Sequence, residues 1–340
     1  MTRRIRPSDA LLWRPILRRQ SFFLLRTALI LSACAALSLA AACGGIPAAR
    51  PKTGDAAEIV LIAKSQYGDF WGAVRDGARI AAREYGVRLS FQAPEDEAEA
   101  AGQAALIRSA LASGADALLV APIEEATVAA ALGGSTGRSV PVFAVDSPVD
   151  SPLIRSFIGP DHVKAGRMAG EWLAERIGRR GRVGIVMPRS PSRNELDRLS
   201  GFADAAAPLS GIETFPLRFS DDGASRPACP PLKNVDGIVV FDADRAVAAA
   251  ACVRDAALAG RVAIVAFDSS PELLELLQEG VVGATIVYSP FGMGYLAVRQ
   301  AALAMRGRAV TPSVAVDLYL VETENMFSPE HQKLLFPFIK

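Results

Sequence analysis

Three apolar segments of the chain end in an aspartate, and these acids are the first candidates for chemistry. The segments read VFAVD, IVVFD and IVAFD and end at Asp146, Asp242 and Asp268. A carboxylate at the end of a buried strand is costly to bury unless it is paired. It also accepts hydrogen bonds from adjacent hydroxyl groups, each worth about 1.5–3 kcal/mol net. The three acids therefore favour binding of a neutral, hydroxyl-bearing molecule.

Helix capping is the competing explanation for each acid. The segment 269–271, Ser-Ser-Pro, already provides a capped helix start, which leaves Asp268 available for another role. Asp244 is available as the cap of the helix that follows Asp242. A Ser-Pro turn follows Asp146, and capping stays open there.

Two aromatic rings follow the first apolar strand. The run 59–63 predicts a buried strand, a polar turn follows, and apolar residues then recur at helical spacing. Asp69 is placed to cap that helix, directly before Phe70 and Trp71. Open α/β folds bind ligands at such strand-to-helix loops, and aromatic rings stack on the C–H face of a sugar. For Phe70, packing into the core is an equally good explanation.

Strands and helices alternate from residue 58 to residue 321, which predicts parallel sheets covered by helices on both faces. The predicted strands include one over 213–219 and a last one over 313–321. So many strands fit two sheets better than one. The alternation of strands and helices is interrupted only at 220–236. Three prolines there disfavour a full crossover helix and predict an irregular connection.

The first 42 residues have the composition of an export signal. They carry seven arginines against one aspartate, followed by sixteen uncharged residues and then Cys43. Sixteen residues fall short of the ~20 that a membrane span needs. The sequence around Cys43 resembles a bacterial lipobox, with Cys34 as a second candidate that leaves a shorter apolar segment. We therefore expect a lipoprotein signal peptide at 1–42, acylation of Cys43 and a tether over 43–55.

Without this segment the chain has 30 basic and 35 acidic residues, a net charge near −5, which gives no basic footprint for nucleic acid. Its 298 residues suit two lobes. Cys229 and Cys252 form an even pair in an exported protein, so a disulfide and two unpaired thiols both remain open. With only His162 and His331 in the chain, no histidine-based metal site is visible, and we expect no cofactor.

Enzyme motifs are missing from the sequence. It contains neither a phosphate-binding G-x-x-x-x-G-K-[ST] loop nor a G-x-S-x-G nucleophile elbow. The glycines of 178–184 precede a strand instead of following one, so they form no dinucleotide fingerprint. We therefore predict a binding protein with no enzymatic activity.

Several motifs, in order over residues 57–326, resemble the type I periplasmic sugar-binding proteins, and the ribose-binding group most of all. The motifs are Phe70-Trp71, the strand ending in Asp146, Arg198-Leu199-Ser200-Gly201-Phe202, Phe267-Asp268, and Gly283-Ala284-Thr285-Ile286 with Pro290. The resemblance implies an α/β fold of two Rossmann-like lobes with parallel sheets, joined by a three-segment hinge. Such a protein closes over a monosaccharide and delivers it to an ABC importer or a membrane receptor.

The resemblance also implies roles for single residues. It makes Phe70 and Trp71 a stacking pair and Phe219 the opposing ring of the second lobe. It makes Asp146 and Asp268 hydroxyl-binding acids. Arg198 matches a donor to a sugar oxygen, with a helix-surface arginine as the alternative.

Other positions depart from the family pattern. Asp242 stands where the ribose-type site usually has Asn, and Tyr288 stands where it often has Gln, with plain packing as the alternative for Tyr288. Gly68 and Ala121 replace frequent asparagines, and Ser147 replaces a frequent arginine. These changes remove donors and add a carboxylate, so we expect a polyol-like ligand that is larger or less oxygenated than ribose.

The implied organisation is a lobe of 56–158 with 290–316 and a lobe of 160–288 with 317–340. We expect a monomer on the extracytoplasmic side of a membrane, held there by its lipid anchor, whose partners are a sugar or polyol and an ABC permease. A ligand sensor that presents its closed form to a membrane receptor is the alternative. A transcriptional repressor shares this two-lobe core but needs a helix-turn-helix where this chain has its export signal.

Overall fold

A computed structural model describes residues 56–95, 99–134, 140–188, 190–219 and 228–336. The predicted signal peptide, Cys43, Cys34 and the tether up to residue 55 lie outside the described residues.

The described chain alternates strands and helices. In chain order the strands are β1 (Glu58–Ile62), β2 (Arg88–Gln92), β3 (Ala117–Val120), β4 (Val142–Val145), β5 (Ile154–Gly159), β6 (Gly181–Val186), β7 (Ile212–Pro216), β8 (Gly237–Val240), β9 (Ala263–Phe267), β10 (Ala284–Val287), β11 (Ser313–Ala315) and β12 (Tyr319–Glu322). The helices are α1 (Asp69–Tyr85), α2 (Ala100–Ala112), α3 (Glu125–Gly133), α4 (His162–Arg176), α5 (Arg193–Ala206), α6 (Ala243–Asp255), α7 (Pro271–Gln278), α8 (Pro290–Met305) and α9 (Pro329–Leu335).

The strands form two sheets, each the centre of one lobe. The first sheet has the order β11-β5-β4-β3-β1-β2 and the second β12-β10-β9-β8-β6-β7. All pairs are parallel except β10 with β12. The chain passes between the sheets three times: after β5, between β10 and α8, and between β11 and β12. The predicted fold class, two α/β lobes joined by three segments, is confirmed.

The central strands are apolar because helices cover both faces of each sheet. Strands such as β3 (ALLV) and β8 (GIVV) are buried along their whole length, as parallel sheets require. Each lobe has one hydrophobic cluster on either face of its sheet. These rigid sheets fix the loops at their carboxyl edges.

Three local predictions from the sequence were wrong. The segment 313–321 is not one strand, because residues 316–318 carry the chain from β11 in the first sheet to β12 in the second. The strand predicted to end at Phe219 ends at Pro216, beyond which the backbone is irregular. Helix α1 begins at Asp69 with Gly68 as its N-cap, and the Asp69 side chain does not cap it.

Close helix packing positions one side of the site. A Cβ atom on Gly166 of α4 would lie 1.8 Å from the carbonyl oxygen of Arg198 in α5. Gly201 of α5 approaches the backbone of Val163 equally closely. The backbone that carries the Arg198 side chain is therefore held directly against α4.

We predict that Gly166→Ala destabilises the protein by roughly 1–3 kcal/mol, because the added methyl group must push α4 and α5 apart. Gly133→Ala is the matched control, since a Cβ there meets nothing within 4 Å and alanine favours a helix. Urea denaturation of both variants provides the measurement. Equal stabilities for Gly166→Ala and wild type would contradict the close contact between α4 and α5.

A disulfide joins the irregular segment to α6. The sulfur atoms of Cys229 and Cys252 are bonded, with Cα atoms 5.4 Å apart. Cys252 is buried in the core of the second lobe. The bridge ties the Pro-rich connection before β8 to the helix that follows β8.

Candidate functional site

The carboxyl edges of the two sheets face a common cleft with a cavity of about 590 Å³. Seven of the eight ligand-binding residues predicted from the sequence line it: Phe70, Trp71, Asp146, Arg198, Asp242, Asp268 and Tyr288. The eighth, Phe219, is not among the lining residues. Its ring is partly buried and packs against the core of the second lobe. The early end of β7 at Pro216 explains why Phe219 does not project from a strand edge.

Asp146 is the centre of the polar groups at the base of the cleft. It follows β4 in the left-handed conformation, with φ 64°, and is 2% exposed. Its Oδ2 accepts hydrogen bonds from Lys64 Nζ at 2.8 Å and Asn194 Nδ2 at 3.0 Å. Its Oδ1 accepts one from the Tyr288 hydroxyl group at 2.8 Å. Since Asn194 belongs to α5 and Lys64 follows β1, this carboxylate links the two lobes directly.

These contacts keep Asp146 ionised. Burial alone would raise its pKa, but the charges of Lys64 and Arg198 and the hydrogen bond from Lys64 outweigh burial and lower the pKa to about 2. Protein groups therefore already donate hydrogen bonds to both oxygens of Asp146. The sequence had predicted that this carboxylate binds hydroxyl groups of a ligand. Asp146 holds the cleft floor together.

Arg198 is a buried cation, 2% exposed, which argues against a helix-surface role. Its Nη1 donates to the Phe241 carbonyl oxygen at 2.7 Å and to Asp268 Oδ2 at 3.4 Å. Its Nη2 donates to the Tyr288 hydroxyl oxygen at 3.1 Å, and the guanidinium lies 4.7 Å from the centre of the Phe267 ring. Burial alone would lower the pKa of Arg198, but the charge of Asp268 and its neighbours raises it further above its usual range.

His162 supports Arg198 from α4. Its Nδ1 accepts a hydrogen bond from Arg198 Nε at 3.3 Å, and its Nε2 lies 2.6 Å from the Asp146 carbonyl oxygen. Neutral imidazole with the proton on Nε2 satisfies both contacts. Burial, reinforced by the charge of Arg198, lowers the pKa of His162 to about 3. The ring is therefore a neutral structural link at physiological pH.

Asp268 is the acid that retains acceptor capacity. It too is left-handed, with φ 65°, at the end of β9. Ser270 caps α7 by accepting from the Leu273 amide, so the prediction that Asp268 is released from capping is confirmed. Its Oδ2 contacts Arg198, while its buried Oδ1 has no hydrogen-bond partner within the described chain. Burial raises the pKa of Asp268 to about 6, against the opposing charge of Arg198.

Asp242 has a capping role that the sequence assigned to Asp244. Its Oδ1 accepts from the Arg245 amide at 2.8 Å, and its Oδ2 lies 2.9 Å from Arg245 Nη1. Asp242 has extended backbone directly before α6, whereas Asp244 is already in the first helical turn. The expectation that Asp244 is the cap was wrong, although both acids line the cleft.

The aromatic rings form an edge-to-face chain. Trp71 lies 4.9 Å from Phe70, and Phe70 lies 5.8 Å from Tyr288, with near-perpendicular planes in both pairs. Trp71 is only 4% exposed and belongs to the core of the first lobe, whereas Phe70 is half-buried. Tyr288 bridges Asp146 and Arg198 through its hydroxyl group, so it does more than pack.

Sequence reasoning missed Lys64, Asn194 and His162. Lys64 comes just after the apolar β1 and carries the same signal, a charge at a strand end, that singled out the three aspartates. Asn194 and His162 sit in the first turns of α5 and α4, where the sequence shows only ordinary polar residues. Their roles depend on the approach of the two lobes.

Within the described ranges, no cluster of His, Cys, Asp and Glu side chains could hold a metal ion. None of the described helices is both long enough and apolar enough to cross a membrane.

We predict that Asp268→Asn changes the pH dependence of stability. Between about pH 4 and 6 the unfolded wild-type chain ionises Asp268 while the folded chain keeps its proton, so the contribution of Asp268 to the free energy of unfolding falls as pH rises. The asparagine variant lacks this cost. The free energy of unfolding of wild type, relative to that of Asp268→Asn, should therefore fall by on the order of 2 kcal/mol between pH 4 and pH 6. Urea denaturation at pH 4, 5, 6 and 7 measures it, and a difference that rises with pH would contradict the assignment.

The fold and cleft together define a class: two α/β lobes crossed three times by the chain, with a polar cavity between facing sheet edges, as in type I periplasmic binding proteins. A family model described as "Periplasmic binding protein domain" matches residues 59–309. The chain therefore belongs to the periplasmic binding protein family, and the family predicted from the sequence is confirmed.

Named relatives share most of the chain. The D-ribose/D-allose-binding protein of Pseudomonas aeruginosa is 26% identical over 274 residues, which cover 77% of this chain and 84% of that protein. The ribose import binding protein RbsB of Escherichia coli is 24% identical and covers 77% and 90%. These relatives are binding proteins and not enzymes, as the sequence predicted for this chain.

Solved structures share the fold. The glucose-galactose binding protein GanP of Geobacillus stearothermophilus superposes with a TM-score of 0.74 at 25% identity, covering 80% of this chain and 99% of that one. A carbohydrate transporter solute-binding protein of Agrobacterium radiobacter, in complex with D-arabinose, gives 0.74 at 23% identity and covers 83% and 100%.

Proposed function

We propose that this protein captures a monosaccharide or related polyol between its lobes and delivers it to an ABC importer. The observation that carries the proposal is Asp268, which lines the cleft and whose buried Oδ1 has no hydrogen-bond partner among the described residues. A buried acceptor of this kind favours a ligand that donates a hydrogen bond to it. The relatives named for ribose, allose and ribose import support a sugar as that ligand.

Within this proposal the other predicted residues act as two groups. Asp146, Arg198 and Tyr288 form the floor, because protein partners hold each of them in place. Phe70, Asp242 and Asp268 form the walls that a ligand contacts, with Phe70 as the stacking ring. The packing of Phe219 does not support a ligand contact for that residue.

Closure of the lobes over a ligand has a structural basis. Asn194 of α5 bonds Asp146 of the first lobe, and Arg193 beside it lies 3.3 Å from Glu125 of α3. Protein groups thus hold the lobes together at the floor and at one rim. A ligand can contact both walls of the cleft only when the lobes are closed. Such a ligand therefore stabilises the closed form and shifts the population towards it.

We predict that the purified, processed protein is stabilised by at least one sugar in a thermal-shift panel of ribose, allose, arabinose, glucose, galactose and xylitol. A ligand at 100 times its dissociation constant adds about 2.7 kcal/mol. Asp268→Ala should remove the shift, because the acceptor in the wall is lost. Asp204→Ala, an exposed acid on α5 outside the cleft lining, is the control and should keep it.

Two results would count against this proposal. Absence of a shift with every sugar would remove the support for sugar capture. A full shift in Asp268→Ala would remove the assignment of Asp268. Phe70→Ala is a better test of stacking than Trp71→Ala, since Trp71 is buried in the core and its truncation costs about 3–5 kcal/mol of stability.

The protein is proposed to work at the extracytoplasmic face of a membrane, anchored through acylated Cys43. The basic and apolar segments before Cys43 support export, and the periplasmic binding protein family supports the compartment. Co-purification with a permease would favour transport, and co-purification with a membrane receptor would favour the sensor alternative.

For the anchor, we predict that Cys43→Ser releases the exported protein from the membrane fraction and abolishes labelling by a palmitate analogue. Cys34→Ser is the matched control and should leave both unchanged. The reverse pattern would place the lipid on Cys34.

A further inference from the structure

Among the described residues, those that line the cleft carry more negative than positive charge. Eight acids line the described cleft against three bases, Lys64, Arg198 and Arg245. Those three bases are already matched, because Lys64 pairs with Asp146, Arg198 with Asp268 and Arg245 with Asp242. The excess belongs to the five other acids: Asp69, Glu95, Glu195, Asp244 and Glu272.

Four of these five acids lie at the exposed rim, on both sides of the cleft. Asp69 and Glu95 belong to the first lobe, and Asp244 and Glu272 to the second. None of the four makes an ion pair or side-chain hydrogen bond with any other described residue. The fifth acid, Glu195, is used locally by Ser192 in the capping box of α5.

Like charges on facing walls have two effects. They oppose closure of the lobes, because closure brings the carboxylates nearer to one another. They also give the mouth a negative potential that attracts cations and repels anions. Within the second lobe, partial burial and the charges of Asp242 and Glu272 raise the pKa of Asp244, although Arg245 opposes them. A neutral sugar relieves none of this repulsion, but a bound cation does.

We infer that the preferred ligand is a polyhydroxylated amine, such as an amino sugar or amino polyol, whose protonated amine lies between the rim acids as the lobes close. The inference rests on the proposed function, since hydroxyl groups still bind at the floor and walls. A metal ion is a poorer occupant, because no described cluster of acids, histidines and cysteines could hold one. Cation and hydroxyl groups in one molecule match the charged rim and the polar interior together.

The test is calorimetric titration of the purified, processed protein, treated with EDTA, against matched sugars. The series are glucose, glucosamine and glucuronate, and galactose, galactosamine and galacturonate. At low ionic strength we expect an amine to bind at least about tenfold more tightly than its neutral parent, equal to about 1.4 kcal/mol. The uronates should bind most weakly. Salt at about 0.5 M should reduce the advantage of the amine, because exposed charges are screened.

Two double variants locate the effect. Asp244→Asn with Glu272→Gln should remove most of the preference for the amine and leave the affinity for the neutral sugar within about threefold. Glu171→Gln with Glu324→Gln changes the same net charge at exposed residues of the second lobe outside the cleft lining, and should keep the preference.

The outcomes separate the two proposals. A neutral sugar that binds as tightly as its amine overturns the inference and leaves sugar binding standing. An amine preference that survives Asp244→Asn with Glu272→Gln also overturns it, because the rim acids are then not the cause. No binding of any sugar contradicts both proposals.

Discussion

The buried contact between Lys64 and Asp146 is the interaction on which the cleft depends. A carboxylate and an ammonium group removed from water are stable only when each is paired and hydrogen-bonded. Here the shared carboxylate also accepts from Asn194 and Tyr288, so one residue at a strand end is contacted from the first sheet, α5 and the hinge. The position of the lobes and the ionisation of Asp146 are therefore coupled. A change in either exposes a charge to an apolar interior.

Each lobe has an aspartate directly after a buried strand, but the two aspartates have different roles. Asp146 and Asp268 both follow a buried strand in the left-handed conformation, and both line the cleft. In the first lobe Lys64 and the neighbouring lobe satisfy the acid, and its pKa is low. In the second lobe Arg198 also contacts Phe241 and Tyr288. Asp268 has a raised pKa, and one of its oxygens has no hydrogen-bond partner among the described residues. The same position at the end of a strand is thus occupied by a structural acid, Asp146, in the first lobe and by an acid suited to ligand binding, Asp268, in the second.

The sequence predicted the fold because strand and helix periods are local signals, and it predicted the residues of the cleft because strand ends converge at sheet edges. It did not separate floor from wall. That distinction depends on contacts such as Asn194 with Asp146, which join residues far apart in the chain. The resemblance, together with a strand predicted over 213–219, placed Phe219 in the site, although the strand ends at Pro216. Sequence reasoning passed over Lys64 because only acids were considered at strand ends.

The division between floor and wall bears on specificity. Floor residues such as Arg198 are bonded mainly to the protein, so exchanging one ligand for another changes their energies little. Groups with few protein partners are therefore better placed to discriminate between ligands. These groups are the unbonded oxygen of Asp268 and the rim acids Asp244 and Glu272. Departures from the ribose-type pattern at Asp242 and Tyr288 are compensated within the protein, since Arg245 neutralises the first and Asp146 bonds the second. The added carboxylate is therefore no evidence against a sugar, and we propose that the rim acids decide the choice among sugars.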